Sequence, residues 1–563
     1  MGGMLKSIAL LLRQPIIQTL LVFIGVMVMG TPIYPLIDDV HIARMLSGAY
    51  TGAPYEYVHA IHIYLSSFIV FLYNFNSTVN WYTLILYFVL FVSLYATCLA
   101  LAPFVRRKNP AGILSLLFVL LIYIYAISQI QYVTVGGLSI FSGLLLFLSA
   151  SRNNNLRISI LVLSLFLICA GFMLREGMAY FAALIVAPAT YYRYIRSEAG
   201  SQKPFAMFLL LVVGCIFILK CAQSGAYDAY PEIKEDRLWF TTQIEYSNFY
   251  LYHYMFHPDL YSSVGWSAND YAMYDSWSFQ DNQIFTQDKI SRVMAEAIRK
   301  PPSAPQQMAY IYNASIVNLL LGGGTYLWIA YVFVGMSLML LKRERRMIVL
   351  TFLVFVTSIL YFSYLIRIVP YRVTIPAALF LGTFIPVSTD LVIRFKREVT
   401  LVLFYTVAIA LLVLVAYEYH TETKSNSEKI KRFSRILRQI PQRDEAIIYL
   451  WDSAIPINWT SPFDDYSILK KYALAGGGWP QRLEPERELF RQYGVTYLYK
   501  DVYEKDNILV IANDEHLTFY HRFMKEHYNI NVEFQVLSDF TRYEMDKTRY
   551  GYGGKLVKIR RIN

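Results

Sequence analysis

Apolar runs of about 17 to 23 residues recur from residue 16 to residue 417, and a chain patterned this way has to place most of its length in a bilayer. The first run, Ile16 to Leu36, is almost uncharged and long enough to cross. The formal charge of +11 could point to a nucleic-acid partner, but its distribution points elsewhere. The basic residues fall in short clusters between the runs: Lys6 with Arg13, Arg106-Arg107-Lys108, Arg152 with Arg157, Arg193 with Arg196 and Lys203, Lys342-Arg343 with Arg345-Arg346, and Arg394 with Lys396-Arg397. Such clusters are the positive-inside signal, so this charge sets topology and no nucleic-acid partner is expected.

Anchoring those clusters in the cytoplasm gives a map of about eleven transmembrane helices, N-terminus inside and C-terminus outside. The first run delivers Asp38 and Asp39 to the outer face. The second, about 81–103, has to run inward because it ends at Arg106-Arg107-Lys108. Segment 37–80 therefore begins and ends outside, and its two helix-like pieces, around 39–50 and 57–75, are expected to lie in the interface, with His59 and His62 on the second. A module over 1–222 is followed by an outer segment, 223–323, with eleven Asp/Glu against six Lys/Arg and many aromatics, ending in an amphipathic helix near 305–321. Further spans fill 324–418. From 419 to 563 the pattern changes to short β-like runs (Ala446–Leu450, Val495–Tyr499, Ile508–Ile511, Val532–Leu537, Lys555–Ile559) between helical stretches near 426–439, 484–493 and 514–527, as in a soluble α/β domain on the outer face.

The four cysteines all lie in apolar spans, where they act as small hydrophobes. Gly322-Gly323-Gly324 and Gly476-Gly477-Gly478 lack the Walker lysine and the Rossmann spacing, so they read as turns. With no nucleotide-phosphate loop, any reaction has to run on an activated substrate or a gradient.

The residues that could carry chemistry are few. Asp38 and Asp39 open the first outer loop. One of them can serve as a helix N-cap, and the other is then free to act as a general base or to orient an acceptor hydroxyl. Arg175 and Glu176 sit in a turn too short to reach far into water; they form either a surface ion pair or a phosphate-binding edge. Arg367 and Arg372 lie outside against the charge rule, suited to gripping a phosphate bidentately or to anchoring at headgroups. Trp266, Asn269 and Asp270 pair an aromatic face with polar groups, as carbohydrate sites do, although aromatics also gather at any interface. His59 with His62, and His253 with His257, have ligand-like spacing but no matching carboxylate motif, so no metal is assigned to them.

An inside N-terminus, one span, an acidic pair opening a long first outer loop, many spans and a soluble outer domain together resemble the GT-C class of membrane glycosyltransferases. More narrowly, Asp38-Asp39 with Ser47-Gly48-Ala49-Tyr50-Thr51-Gly52-Ala53-Pro54 and Trp266-Ser267-Ala268-Asn269-Asp270 resemble bacterial multi-spanning proteins placed near that class. The resemblance implies a mainly α polytopic membrane protein in the cytoplasmic membrane. It implies an inverting sugar transfer from a polyprenyl-phosphate-linked donor to a cell-envelope glycan or lipid acceptor. Asp38 or Asp39 would be catalytic, with Arg175, Arg367 and Arg372 on the donor phosphate and Glu176, His59, His62, Trp266, Asn269 and Asp270 on substrate. The class often carries a second acidic motif in a later outer loop. None precedes residue 223 here, which weighs against a divalent metal, and no cofactor is assigned. The rival expectations are a flippase for lipid-linked glycans and a non-catalytic envelope scaffold.

Overall fold

Apolar sequence that cannot bond its amides to water folds as helix, and the described residues as far as Leu437 are mostly helical. The structure, a computed structural model, describes residues 14–106, 110–153, 156–196, 199–299, 328–331, 334, 345–366, 371–388, 398–451, 454–464, 467–541 and 553–562. Arg367, the Gly322-Gly323-Gly324 turn, the helix expected near 305–321 and most of the span expected near 325–341 lie outside the described residues.

In chain order, short turns aside, the helices are α1 (Pro15–Met29), α2 (Ile37–Leu46), α3 (Ile63–Phe75), α4 (Trp81–Arg106), α5 (Pro110–Ser128), α6 (Tyr132–Arg152), α7 (Ile158–Leu174), α8 (Glu176–Arg196) and α9 (Ala199–Asp228). They continue with α10 (Pro231–Glu245), α11 (Ala268–Asp275), α12 (Gln287–Arg299), α13 (Arg345–Ile366), α14 (Tyr371–Ser388) and α15 (Glu398–Leu437). Among the described residues, three helices are long and apolar enough to cross a membrane by length and composition: Trp81–Arg106, Tyr132–Arg152 and Gln202–Asp228. Pro15–Met29, Ile63–Phe75, Gly112–Ser128, Ile158–Leu174 and Arg372–Phe384 are shorter apolar helices.

Helix α6 is the centre of the bundle. Its apolar window is 94% buried against 11% for α9, which turns Leu210, Val213 and Phe217 outward. Glycines let α6 and α7 meet backbone to backbone: a Cβ on Gly171 would stand 2.4 Å from the Gly136 carbonyl oxygen. Phe141 stacks on Phe380 with centroids 5.6 Å apart, tying α6 to α14.

The first loop holds two helices, both narrower than the sequence pattern suggests. Helix α2 ends at Leu46, where Gly48, at φ +74°, turns the chain. No helix resumes until Ile63, so His59 precedes α3 and His62 is its N-cap. At 13 residues, α3 spans about 20 Å, short of a bilayer core of about 30 Å. It buries Ile63, Ser66, Ile69 and Tyr73 and exposes Tyr64, Phe68, Phe71 and Phe75 along the opposite face.

The C-terminal region is a five-stranded sheet of β1 (Ile447–Leu450), β2 (Ala473–Gly476), β3 (Ile508–Ala512), β4 (Asn531–Asp539) and β5 (Lys555–Ile562), in the order β2-β1-β3-β5-β4. Strands β1, β2 and β3 are parallel, with Ile448 opposite both Leu474 and Leu509, while β5 runs antiparallel to β3 and β4. Helices α16 (Glu484–Gln492), α17 (Leu498–Glu504) and α18 (Asp514–Tyr528) connect them. The strand expected at Val495–Tyr499 is absent. The Asp501 carboxylate accepts the Thr496 and Tyr497 amides at 2.6 and 2.9 Å, committing that run to the start of α17. The helix expected at 426–439 is the tail of α15, which runs unbroken across the composition change near 419.

This region sits at the exit of α1. Tyr419 donates to the Val26 carbonyl at 2.9 Å and Asn426 to that of Thr31 at 2.9 Å, while Arg443 donates to the carbonyls of Ala49 and Tyr50 at 3.0 and 3.1 Å. The 231–285 segment joins the same body: Trp239 Nε1 donates to Gln481 O at 3.1 Å and Asn269 Nδ2 to Phe519 O at 3.1 Å.

Candidate active site

Four helix ends meet where α1 delivers the chain from the bundle. The turn after α1 is fixed by backbone bonds from the Ile33 amide to Ser128 O, 3.0 Å, and from the Ile130 amide to Ile33 O, 3.2 Å. The first turn of α2 is thereby set against the N-terminus of α6. The α6–α14 packing brings the start of α14 to the same end, and α7 finishes there at Arg175. Three of these ends are N-termini, whose unbonded amides favour negative charge.

Asp38 and Asp39 both lie inside the first turn of α2. The N-cap is Leu36, with no side-chain cap bond, so neither aspartate caps its own helix as the sequence pattern suggests. The two carboxyls point to different environments. Asp38 Oδ2 accepts from Arg372 Nη1 at 2.8 Å, with the two side chains 23% and 31% exposed. Asp39 is fully buried. Its Oδ1 accepts from the Tyr82 hydroxyl at 2.8 Å and from the Tyr132 amide at 2.9 Å, so it caps α6 instead, and its Oδ2 has no partner among the described residues. Burial outweighs those two donors and the nearby Arg372, raising the Asp39 carboxyl to about 8. Asp39 therefore carries a proton at neutral pH and Asp38 is the accessible carboxylate.

The Tyr132 phenol joins this pair to Arg175. It lies within electrostatic range of Arg175, Asp38, Arg372 and Asp39, and the Arg175 guanidinium carbon is 6.0 Å from the centre of its ring. Arg175 is exposed and has no carboxylate partner among the described residues, so of the two readings of Arg175 and Glu176 the ion pair does not form. Glu176 instead binds Lys220 and accepts from the Tyr180 hydroxyl at 2.9 Å.

Arg175 also borders a cavity of ≈ 130 Å³ whose lining includes His59, His62, Glu176 and Gln223. Four residues singled out in the sequence thus share one cavity. His62 donates through Nε2 to Leu219 O at 2.9 Å and accepts the Tyr64 amide on Nδ1 at 3.2 Å, so both nitrogens are engaged and neither is open to a metal. His59 packs between Tyr227 and Phe240, each with its ring centre 5.1 Å away. Burial pushes the His59 imidazole down to about 3, leaving it neutral.

Trp266, Asn269 and Asp270 lie elsewhere, and inward. Trp266 is 2% exposed, its Nε1 donating to Ile284 O at 3.0 Å. The Asp270 carboxylate closes a capping box with Ser267 and bonds His527 Nε2 at 2.7 Å. The exposed aromatic face that the sequence pattern suggests is packed as core. Asp270, Glu526 and His527 have ligand atoms within 4.8 Å of one another, but His527 is held by Asp270, and Glu526 accepts from Ser267 Oγ at 2.9 Å.

Two positioning contacts had no signal in the sequence. His41 Nε2 bonds Gly477 O at 2.6 Å and Arg44 Nη2 donates to Leu474 O at 2.8 Å, so the helix carrying Asp38 is seated on the end of β2. The turn after β2 has Gly476, Gly477 and Gly478 at φ +74°, +75° and +115°, values that favour glycine, and this lets the sheet edge approach α2.

No family model matches the chain, and no curated protein matches it. Among solved structures it is similar to crystal structures of ArnT from Cupriavidus metallidurans. For the apo state the identity is 11% and the TM-score 0.39, over 99% of this chain and 98% of that one. For the form bound to undecaprenyl phosphate the identity is 10% and the TM-score 0.34, over the same shares of each chain. Likeness at this level assigns neither a residue nor a reaction.

Proposed function

We propose that this protein is a membrane glycosyltransferase that moves a sugar from a polyprenyl-phosphate donor to a hydroxyl of a cell-envelope glycan or lipid acceptor. The observation that carries the reading is the half-exposed Asp38–Arg372 pair, at 2.8 Å, beside the unpaired Arg175. A donor phosphate entering this mouth meets two guanidiniums and the N-termini of α2 and α14, that of α6 being capped by Asp39. Its charge competes with Asp38 for Arg372, and as Arg372 turns to the phosphate the Asp38 carboxylate is released. Freed in this way, Asp38 accepts the proton of the acceptor hydroxyl as that oxygen attacks the anomeric carbon. The C–O bond to phosphate breaks, and the lipid phosphate leaves toward Arg372 and Arg175. Single displacement on the face opposite the leaving group inverts the anomeric centre. Asp39 fixes α2 to α6 and Tyr82 and so aims its neighbour. The pair stands at an end of the bundle, not at the midplane where transporters bind their cargo, which favours transfer over flipping.

The test is sugar transfer from a polyprenyl-phosphate-linked donor by Asp38→Asn and Asp39→Asn proteins. Loss of transfer in the first with retention in the second is the expected result. Equal activity in both would remove Asp38 from the chemistry.

A further inference from the structure

A second cavity, of ≈ 730 Å³, opens between α10, the 280–287 loop and α16, so the 231–285 segment and the C-terminal region each form one wall. Its floor consists of groups that already satisfy one another. Arg487 bonds Asp236 and Glu484, at 2.7 and 2.6 Å. Arg482 lies 3.8 Å over the Trp239 ring and donates to Phe285 O at 2.7 Å. Glu486, raised to about 6 by burial, accepts from Gln280, the Arg482 amide and the Gly476 amide. The rim differs: among the described residues, the side chains of Glu232, Glu235, Asn282 and Gln287 make no hydrogen bond or ion pair. A large, pre-formed, polar cavity with Phe490 half-buried in its wall therefore offers two free carboxylates and two free amides, while its arginines are already bound.

We propose that this cavity binds a glycan through its hydroxyl groups and selects a neutral glycan over a phosphorylated or carboxylated one. The free carboxylates accept from sugar hydroxyls, the amides both donate and accept, and a ring face packs on Phe490. Anionic polymers are repelled by Glu232 and Glu235, and the arginines that could offset this are held by Asp236, Glu484 and the Trp239 face. Pockets of roughly 300–1,000 Å³ hold ligands of several rings, so the volume suits an oligosaccharide segment and exceeds a single sugar. The site also has a structural connection to the reaction centre. Glu486 in its wall holds the Gly476 amide at 2.8 Å, and the next residue, Gly477, is the one that bonds His41 of the helix bearing Asp38. In this role, which rests on the transfer reading above, the cavity is the acceptor's subsite and delivers a glycan end toward Asp38.

The test uses full-length protein in nanodiscs, titrated with chitotetraose, maltotetraose and cellotetraose and with a phosphorylated maltotetraose, binding being followed by saturation-transfer NMR and calorimetry. At least one neutral probe should bind more tightly than the phosphorylated one. The Glu232→Lys/Glu235→Lys protein should bind that neutral probe roughly tenfold or more weakly, as expected when charge-assisted hydrogen bonds are removed. Both side chains are exposed, so an unchanged melting temperature marks the variant as folded. Three outcomes overturn the proposal: no neutral probe binds at millimolar concentration, the phosphorylated probe binds more tightly, or the double variant binds as the wild type does. The Asp38→Asn protein should bind the probes normally. An inactive Asp38→Asn protein with absent glycan binding would thus sink the subsite alone, and an active one with glycan binding intact would sink the transfer reading alone.

Discussion

The mouth around Asp38 and the hub around Asp281 both set an aspartate among tyrosines, with opposite outcomes. Asp281 is fully buried and satisfied on both oxygens: Oδ1 takes the Gln283 and Ile284 amides at 2.8 and 3.0 Å, and Oδ2 takes the hydroxyls of Tyr497 and Tyr528. Nearby, Trp266 packs on Phe285 and Phe285 on Phe523, so the assembly clasps the 258–285 segment to α18. Among the described residues Asp38 has one side-chain partner, partly wet, which a competing anion can take away. A carboxylate with four donors specifies a fold, whereas one with a single exchangeable donor can act on a substrate. The comparison predicts that substitutions in the two places will separate activity from stability cleanly.

The largest effect is expected at Asp38. Removing a general base typically costs about 10²–10⁴ in rate, so Asp38→Asn should lower transfer by that range. Its half-exposed ion pair should contribute about 1 kcal/mol or less to stability, leaving the melting temperature nearly unchanged. Asp281→Ala should show the reverse. Two phenols and two amides lose their acceptor in a dry site, and unfolding in denaturant should move by on the order of 3–5 kcal/mol. Whatever fraction stays folded should transfer at near wild-type kcat. A folded, inactive Asp281→Ala protein would collapse the contrast between the two regions.

A smaller effect separates the two arginines within the mouth. Arg175 is exposed and Arg372 is half-buried against Asp38, so Arg175→Gln should raise the donor KM about tenfold, a charge-assisted contact's worth, with kcat little changed. That rise should shrink with added salt because the charge is wet. If kcat falls while KM is unmoved, Arg175 does not hold the ground-state phosphate.

How much of this was legible in the sequence depended on whether a feature was local. Apolar runs found the long helices as far as α9 but not α10, α11 and α12 of the outer segment, and four of the five strands fell in runs rich in branched or aromatic residues. Strand β2, Ala473-Leu474-Ala475-Gly476, escaped because small residues carry no strand signal, and it is a strand only through pairing with β1. Val495–Tyr499 has the composition of a strand, but a carboxylate in the next turn, Asp501, takes its amides. The candidate site was legible as a list of residues but not as a geometry. Charge-rule topology brought Asp38 and Arg372 to one face, yet only three-dimensional packing could pair residues 334 positions apart or separate the roles of adjacent aspartates. The same limit explains Trp266-Ser267-Ala268-Asn269-Asp270. An aromatic beside polar groups looks alike whether it faces a sugar or a core, and burial decided it.

The sharpest remaining test lies within the aspartate pair and has the smallest effect at neutral pH. Asp39 rises from about 3.8 when unfolded to about 8 in the folded protein because burial penalises its charged form. The native state therefore holds one more proton than the unfolded chain between those values. The associated stability is fully present below the unfolded pKa and is lost as pH rises through the folded one. The slope approaches 1.4 kcal/mol per pH unit for a single proton, in order of magnitude. An asparagine at 39 keeps an oxygen for the Tyr82 hydroxyl and the Tyr132 amide and carries no titrating proton. Asp39→Asn should therefore lose this one component of the fall in stability above about pH 4, while transferring sugar at pH 7 much as the wild type does. Melting curves of both proteins across pH 4 to 9 measure the difference directly. Parallel curves would mean that Asp39 is ionised in the folded state, and the assignment of a proton to it at neutral pH would fall.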